Sequence, residues 1–237
     1  TDRFFDGNNG NNLSRQSTTG VKWYNTTGAN TEPARHLFQG GDWAGVKQKL
    51  PYLKSMGVNC IWVSGVQMNE QGLDKNFTPY HAYHPANFYK AEPMFGTFAE
   101  LKDLIDTAHS NGVYVVLDVV VNHMADLLKY TDCNCNYEGY CENNCASLAY
   151  RDAVQFGAPF NNLSYFHNNG NIGDNDWDTY PKYVKGAFLG TEDLKTEDPA
   201  VQNELKWAFK NLIDATDCDG FRVDAIKHME YDFNKGW

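Results

Sequence analysis

The sequence VYVVLDVVV at residues 113–121 is the longest apolar run of the chain, and only Asp118 interrupts it. A membrane span needs about 20 apolar residues, so this run is too short to cross a bilayer. Its length and its valine content instead predict a strand buried on both faces, the kind of strand found in parallel sheets. Asn122 and His123 follow it directly, at the carboxyl end of the predicted strand.

Helices and further short strands flank this run. Apolar segments at residues 58–63 and 220–223 repeat the strand pattern. Helices that alternate with buried strands are typical of βαβ units, so the sequence predicts an α/β fold with a parallel sheet. The apolar residues recur at helical spacing at residues 42–56, at Phe98–Ser110 and at residues 201–215.

Two long stretches interrupt this alternation. Residues 64–95 are expected to be irregular. Residues 124–197 are rich in Asn, Asp, Gly and Tyr, and such a long irregular region within a domain is usually functional. The sequence therefore predicts a first part of the α/β domain at residues 1–123, an inserted subdomain at residues 124–197, and a continuation at residues 198–237 that adds one helix and one strand.

Charge and cysteine content limit the possible partners and compartment. The chain has 237 residues and a formal net charge of −10, which disfavours binding to nucleic acid. Four of its six cysteines lie close together, and their C-x-C-x5-C-x3-C spacing could form two disulfides or a zinc cluster. The spacing matches no common zinc module, so we expect disulfides and a secreted protein. The four are Cys133, Cys135, Cys141 and Cys145; the other two are Cys60 and Cys218.

Polar side chains follow the ends of three predicted strands. Ser64, the pair Asn122 and His123, and the pair Arg222 and Asp224 all occupy such positions. Parallel α/β proteins bind their ligands at the carboxyl ends of the strands. We therefore expect a functional site at this edge of the sheet.

Arg222 and Asp224 are two residues apart on a strand, so their side chains point to the same side. A neighbouring guanidinium lowers the pKa of a carboxyl group and keeps it ionised. An ionised, oriented carboxylate is what a glycosidase uses as its nucleophile, although a purely structural ion pair has the same pattern. Asn122 and His123 could likewise face a ligand or be satisfied by backbone groups.

Four segments of the chain together resemble motifs of the α-amylase superfamily, glycoside hydrolase family 13. The closest resemblance is to bacterial and fungal α-amylases and to cyclodextrin glucanotransferases. It extends in order over essentially the whole chain. It implies a (β/α)8 TIM barrel with a domain inserted after strand 3, and a reaction that retains the anomeric configuration. The matching segments are residues 80–83, 118–123, 190–194 and 220–228.

The resemblance also implies that this chain holds a partial TIM barrel, roughly strands 1–4. A retaining mechanism needs a second carboxyl group about 5–5.5 Å from the nucleophile. In this superfamily that general acid is a glutamate on the fifth strand, and a third acid lies on the seventh, so both are expected beyond Trp237. We therefore expect the fragment alone to be inactive and poorly stable.

Matching positions suggest individual roles. Asp224 is expected to be the catalytic nucleophile, and Arg222 the arginine that orients it and keeps it charged. Asp118 resembles a structural acid beneath the site. The residues expected to bind substrate are His123 through a sugar hydroxyl, Tyr83 by stacking on the same ring, His81, and Lys227 and His228 on the leaving-group side.

Two calcium sites follow from the same resemblance. Calcium prefers six to eight oxygen ligands from carboxylates, amides and carbonyls, although each residue could also make a plain polar contact. For the second site the alternative is an Asn-Gly turn together with Asp42 acting as a helix N-cap. The first site would use Asn122, Asp193 and the backbone carbonyl of His228; the second would use Asp6, Asn8, Asn11, Asn12, Asp42 and the carbonyl of Gly40.

The resemblance favours endo-acting hydrolysis of α-1,4-glucosidic bonds in starch- or glycogen-type glucans by a secreted monomer. A cyclodextrin glucanotransferase or other transglycosylase is the main alternative, and a non-catalytic glucan-binding relative is the other. Glucanotransferases carry an aromatic residue four positions before the calcium aspartate. Leu189 occupies that position here, but the adjacent Phe188 would restore the aromatic if the alignment shifted by one residue.

Overall fold

The computed structural model describes residues 1–12, 35–70, 78–130, 140–141 and 148–237. The chain divides into two compact units. The first unit comprises Thr1–Tyr83, Tyr89–Val119 and Asn211–Arg222, and the second comprises His84–Phe88, Val120–Lys210 and Val223–Trp237.

The elements of both units are named in chain order. The strands are β1 (Cys60–Val63), β2 (Gln67–Asn69), β3 (Pro85–Ala91), β4 (Tyr114–Val120), β5 (His123–Met124), β6 (Leu128–Tyr130), β7 (Leu148–Tyr150), β8 (Glu192–Asp193) and β9 (Gly220–Asp224). The helices are α1 (Trp43–Ser55), α2 (Phe98–Ser110), α3 (Lys182–Lys185), α4 (Pro199–Thr216) and α5 (Tyr231–Gly236), with 3-10 turns at Leu163–Tyr165 and Ile226–His228.

The apolar run at residues 113–121 forms β4, as predicted. β4 is the middle strand of a three-stranded sheet with the order β1-β4-β9, and β1 runs parallel to β4. β1 begins at Cys60, two residues later than its apolar segment suggested. The reason is that the amide of Val58 donates a hydrogen bond to the carbonyl of Leu53 at 3.2 Å, so residue 58 still closes the end of α1.

Helices α1 and α2 confirm the predicted helical segments, and both begin at side-chain caps. Asp42 Oδ1 accepts a hydrogen bond from the amide of Gly45 at 2.7 Å. Thr97 and Glu100 form a reciprocal capping box at α2. Because these caps satisfy amides that the first helical turn leaves unpaired, the helices start at defined residues. The two helices pack together and bury Leu50, Leu101, Leu104 and Ile105.

The expectation that residues 64–95 are irregular is wrong, because β2 and β3 form a two-stranded sheet there. Glu92 is fully buried just after β3, where its carboxylate accepts hydrogen bonds from the amides of Asn69 and Met94 at 2.9 and 3.0 Å. The strand was hidden in the sequence because Pro85, Asn87 and Lys90 obscure its alternation of apolar and polar residues.

The second unit is built from short antiparallel pairs. In the first pair, β5 and β8, His123 lies opposite Asp193 and Met124 opposite Glu192. In the second pair, β6 and β7, Leu128 lies opposite Tyr150. The β5–β8 pair joins the beginning of the stretch at residues 124–197 to its end. This stretch was expected to be irregular, yet it contributes a set of buried apolar side chains that includes Phe156, Phe160, Phe166, Val184 and Leu194.

The cysteine prediction stays a prediction, since Cys133, Cys135 and Cys145 lie outside the described residues. Cys60 and Cys218 are free thiols. Within the described ranges, none of the helices combines the length and the apolar character that a membrane crossing requires.

Candidate active site

A fully buried carboxylate organises the site of the first unit. Asp118, on β4, is 0% exposed. Its Oδ2 atom accepts hydrogen bonds from the hydroxyl of Tyr83 at 2.8 Å and from the indole N–H of Trp62 at 3.1 Å. Arg222 NH1 lies 3.0 Å from Asp118 Oδ1. A buried charge is tolerated when it is paired and hydrogen-bonded, and here three donors from separate segments meet that requirement.

Trp62 contacts both members of this ion pair. Its ring centroid lies 4.8 Å from the guanidinium carbon of Arg222, which is a cation–π contact. The ring is 57% exposed, so it lies at the outer side of the cluster. Trp62 therefore holds Arg222 against Asp118 through one polar and one aromatic contact.

The segment that carries Tyr83 is a ladder of rings. The His81 and Tyr83 rings are stacked with centroids 5.6 Å apart and an interplanar angle of 19°, and Tyr80 meets His81 edge-on. The amide of Tyr83 donates to His81 Nδ1 at 3.0 Å, which assigns a neutral histidine with its proton on Nε2. At the far end, the Arg3 guanidinium lies 4.1 Å from the Tyr80 ring centroid. These contacts fix the direction of the Tyr83 hydroxyl.

Ala82, between these rings, has a left-handed backbone with φ of +67°. This region is unfavourable for residues with a Cβ atom, by about 1–2 kcal/mol. The turn is held in place by close packing, since a Cβ atom added to Gly65 would lie 2.4 Å from the Ala82 carbonyl oxygen. The chain therefore accepts local strain where it aims Tyr83 at Asp118.

We expect Ala82→Gly to raise the free energy of unfolding by about 0.5–1 kcal/mol, because the removed strain exceeds the extra chain entropy of glycine. Urea denaturation of the native protein that contains this chain measures the change. Ala86→Gly, at a buried position in β3 without a left-handed backbone, should instead lower stability. Equal losses of stability in the two variants would contradict the strain at Ala82.

In the second unit, Asp224 is the last residue of β9. The turn that follows holds His228, whose Nδ1 lies 2.7 Å from the backbone carbonyl of Tyr183. Burial lowers the pKa of His228, so the ring is neutral, donates from Nδ1 and leaves Nε2 as an acceptor. Lys227, its neighbour, pairs with Asp178 at 2.5 Å on the surface.

Phe188 links two of the histidines expected to bind substrate. Its ring stacks on His123 with a centroid distance of 5.5 Å and an interplanar angle of 11°, and it lies 4.8 Å from the ring of His228. Trp177 packs edge-on against both Phe188 and His228. His123 is 2% exposed, and its Nδ1 lies 3.3 Å from Asn122 Nδ2. The second unit therefore brings His123 and His228 to one aromatic cluster.

The side chains of the first expected calcium site lie at or next to the β5–β8 pair: Asn122 directly precedes β5, and Asp193 lies on β8, while His228 lies in the 3-10 turn at Ile226–His228. His123 pairs with Asp193 across β5 and β8, and the amide of Leu194 donates to the carbonyl of Asn122 at 3.0 Å. Asn122 Oδ1 and Asp193 Oδ1 are both buried, and neither accepts a hydrogen bond from the described residues. Buried oxygens without donors suit a cation, and an amide and a carboxylate are oxygen ligands of the type calcium takes.

The other oxygen of Asp193 belongs to a charged network. His167 Nδ1 lies 2.6 Å from Asp193 Oδ2, and its Nε2 lies 3.0 Å from Glu197 Oε1. Burial lowers the pKa of His167, but the hydrogen bonds to the two carboxylates outweigh it and raise the value to about 9. Burial raises the pKa of Asp193 to about 7, so a cation at its other oxygen would favour the ionised form.

Of the residues expected at the second calcium site, four make hydrogen bonds with one another in pairs. Asn12 Nδ2 donates to Asp6 Oδ2 at 2.6 Å, and Asn11 Nδ2 donates to Asp42 Oδ2 at 3.1 Å. These four side chains, all in the first unit, therefore form two hydrogen-bonded pairs of an amide with a carboxylate. Their carboxylates and amides match the oxygen ligands that calcium takes.

The alternative contacts for this segment are also present. Asp42 caps α1, and the Asn8 side chain accepts a hydrogen bond from the amide of Gly10 at 3.1 Å within a turn. Asn8 is exposed, apart from the other four side chains. Gly40 adopts the left-handed region with φ of +94°, and its amide donates to Asp2 Oδ1.

Three residues of these sites did not stand out in the sequence: Trp62, His167 and Phe188. Trp62 left only a weak signal, since it lies on the strand that ends directly before Ser64. His167 left none, because its partner Asp193 is far along the chain. Phe188 was considered only as a possible aromatic guide, and its stacking on His123 was not foreseen.

A family model of the α-amylase catalytic domain matches residues 1–235. The chain belongs to the α-amylase family. It is therefore part of a TIM-barrel-type catalytic domain.

Relatives of the α-amylase family resemble the chain at about 30% identity. A Beta/alpha-amylase of Paenibacillus polymyxa is 34% identical over 84% of this chain and 14% of its own length. A cyclomaltodextrin glucanotransferase of Niallia circulans is 32% identical over 100% of this chain and 31% of its own length. The crystal structure of an Anoxybacillus α-amylase superposes with a TM-score of 0.69 at 29% identity, covering 98% of this chain and 40% of that one. The chain thus spans a third or less of these two curated relatives.

Proposed function

We propose that the protein containing this chain hydrolyses α-1,4-glucosidic bonds within starch- and glycogen-type glucans, with retention of anomeric configuration. The observation that carries the proposal is that Arg222, two residues before Asp224 on β9, pairs with Asp118 and contacts the Trp62 ring, while Tyr83 donates a hydrogen bond to the same Asp118 carboxylate. An arginine fixed in this way keeps its positive charge at the end of β9. This is the electrostatic setting that a carboxylate nucleophile needs.

In this proposal Asp224 attacks the anomeric carbon as the glycosidic C–O bond breaks. The departing oxygen takes a proton from the general acid, which we expect to be a glutamate beyond Trp237. Water then attacks the covalent glycosyl ester and gives its proton to the same glutamate, which releases the sugar and restores Asp224. Two displacements at one carbon leave the configuration unchanged.

The other residues bind and orient the glucan. Tyr83 would stack on the sugar ring on the non-reducing side of the cleaved bond, with His81 behind it. His123 would donate a hydrogen bond to a hydroxyl of that ring. His228, with Nε2 as an acceptor, and Lys227 would contact the leaving-group side. Binding by several groups positions the bond for attack.

Two observations bear on the choice between a hydrolase and a glucanotransferase. Leu189 is 75% exposed with a left-handed backbone, whereas Phe188 packs inward against His123. The exposed residue at this position is thus aliphatic, which favours hydrolysis over guiding a glucan chain into a ring. The resemblance to a glucanotransferase over the whole chain keeps that alternative open, and the products distinguish the two: linear maltooligosaccharides from a hydrolase, cyclodextrins from a transferase.

We also propose that the protein binds calcium through Asn122, Asp193 and the His228 carbonyl. The support is that the buried oxygens Asn122 Oδ1 and Asp193 Oδ1 accept no hydrogen bond from the described residues. Bound calcium would supply positive charge to these oxygens and crosslink the two segments that carry them. A second calcium is proposed at Asp6, Asn11, Asn12 and Asp42, because Asn12 pairs with Asp6 and Asn11 with Asp42; Asn8 and the Gly40 carbonyl are further expected ligands. Secretion and the disulfides also remain proposals.

We expect Asp224→Asn to lower kcat on soluble starch by about 10⁴-fold or more, because an amide cannot form the glycosyl ester. Reducing-sugar release and product chromatography on the native protein measure this, with unchanged thermal unfolding as evidence of folding. Asp232→Asn, at an exposed position in α5, serves as the control and should keep full activity. A wild-type protein without glucan hydrolysis would refute the proposal, as would an active Asp224→Asn variant.

We expect Trp62→Leu to lower kcat by about 10-fold with a smaller change in KM, since it removes a hydrogen bond to a charged group and a cation–π contact. Tyr114→Leu is the matched control, because Tyr114 lies on the neighbouring strand, on the same face and 63% exposed. Steady-state kinetics on maltooligosaccharides compare the two. Equal decreases of kcat in both variants would mean that Trp62 contributes only its volume to the packing of this face, and not its contacts with Asp118 and Arg222.

A further inference from the structure

We propose that His167 is a positioning residue for the calcium ion, holding one oxygen of Asp193 so that the other faces the cation. This inference rests on the calcium site proposed above and assigns a role to a residue outside that ligand set. It is carried by contacts within the second unit alone.

The two oxygens of the Asp193 carboxylate have different surroundings. Oδ2 lies 2.6 Å from His167 Nδ1. Oδ1 is buried and accepts no hydrogen bond from the described residues. A carboxylate that uses one oxygen for a neighbouring donor and keeps the other for a metal is the usual arrangement of a ligand oriented by outer contacts.

His167 is itself fixed from three directions. Its backbone amide donates to the carbonyl of Asp193 at 2.9 Å, so backbone and side chain of the two residues face each other. Its Nε2 lies 3.0 Å from Glu197 Oε1, and the side chain is 8% exposed. Glu197 is held in turn by Lys185, whose Nζ lies 3.1 Å away. The imidazole thus has one orientation, in which Nδ1 points at Asp193.

The second side-chain ligand is oriented in a parallel way. Asn122 places its Nδ2 3.3 Å from His123 Nδ1, and its Oδ1 accepts no hydrogen bond from the described residues. Each of the two ligands therefore has one end next to a histidine and a buried oxygen at the other end. Asn122 directly precedes β5, and its carbonyl accepts a hydrogen bond from the amide of Leu194, the residue after Asp193.

Loss of the imidazole should weaken calcium binding without removing a ligand. Asp193 would then be able to rotate, and ordering it again on binding would cost affinity. Outer-shell partners of metal ligands typically contribute about 10–100-fold in affinity. Glu197→Gln keeps the shape of the residue but weakens the hold on Nε2, so its effect should be smaller than that of removing the ring.

The test is calcium titration by calorimetry on the native protein after removal of metal with a chelator. An Asp6→Ala background removes a carboxylate of the other proposed site, so that one binding event is followed. His167→Ala should raise the calcium Kd by about 10–100-fold. His109→Ala is the matched control, because His109 also contacts a carboxylate, Asp219 at 2.8 Å, but lies in the first unit; its Kd should stay within about 2-fold.

A purely structural role would lower the melting temperature of the calcium-free protein and leave the calcium Kd unchanged, which would overturn the inference. If His167→Ala fails to fold, His167→Gln and Glu197→Gln provide the comparison, and wild-type affinity in both would overturn it equally. Wild-type protein that binds no calcium would refute the calcium site and this inference together. Calcium binding in the wild type that His167 variants do not weaken would refute the inference alone.

Discussion

The charge on Asp118 is the constraint on which the first unit depends. A carboxylate that is completely buried costs several kcal/mol unless donors compensate it. Tyr83, Trp62 and Arg222 provide those donors, and they come from the loop before β3, from β1 and from β9. Removing any one of them leaves charge uncompensated, so the three segments are held to a common geometry. The strained turn at Ala82 is the local cost of directing Tyr83 to this point.

The second unit also holds a buried carboxylate, that of Asp193, but with a different set of contacts. Asn122 directly precedes β5 and Asp193 lies on the paired strand β8, and the histidines at positions 123 and 167 each lie next to one end of these side chains. Phe188 then connects His123 to His228 through ring contacts. In both units a functional side chain is held in place by neighbouring side chains: Arg222 by Asp118 and Trp62, and Asp193 by His167. This is how a site keeps the small geometric tolerance that binding and catalysis need.

Local sequence patterns predicted the elements whose formation depends on residues close together in the chain. The helices α1 and α2 follow from apolar spacing and from caps at Asp42 and Thr97, and β4 follows from one apolar run. Asp118 stood out as the one break in that run, and Arg222 stood out beside Asp224 at a predicted strand end, but their roles were inferred only through resemblance to a family. Trp62 and His167 could not be predicted, because their partners Asp118 and Asp193 are distant in the sequence and adjacent only after folding. The β2–β3 pair was missed because polar residues and proline disguise β3.

The central claim is that a carboxylate on β9 acts as a nucleophile beside an arginine fixed by Asp118. The stereochemistry of the first-formed product tests it most directly. Proton NMR of the native protein acting on a maltooligosaccharide should show the new reducing end appearing as the α-anomer, with the β-anomer growing in only by slow mutarotation. Initial release of the β-anomer would mean a single displacement by water and would contradict a nucleophilic role for Asp224.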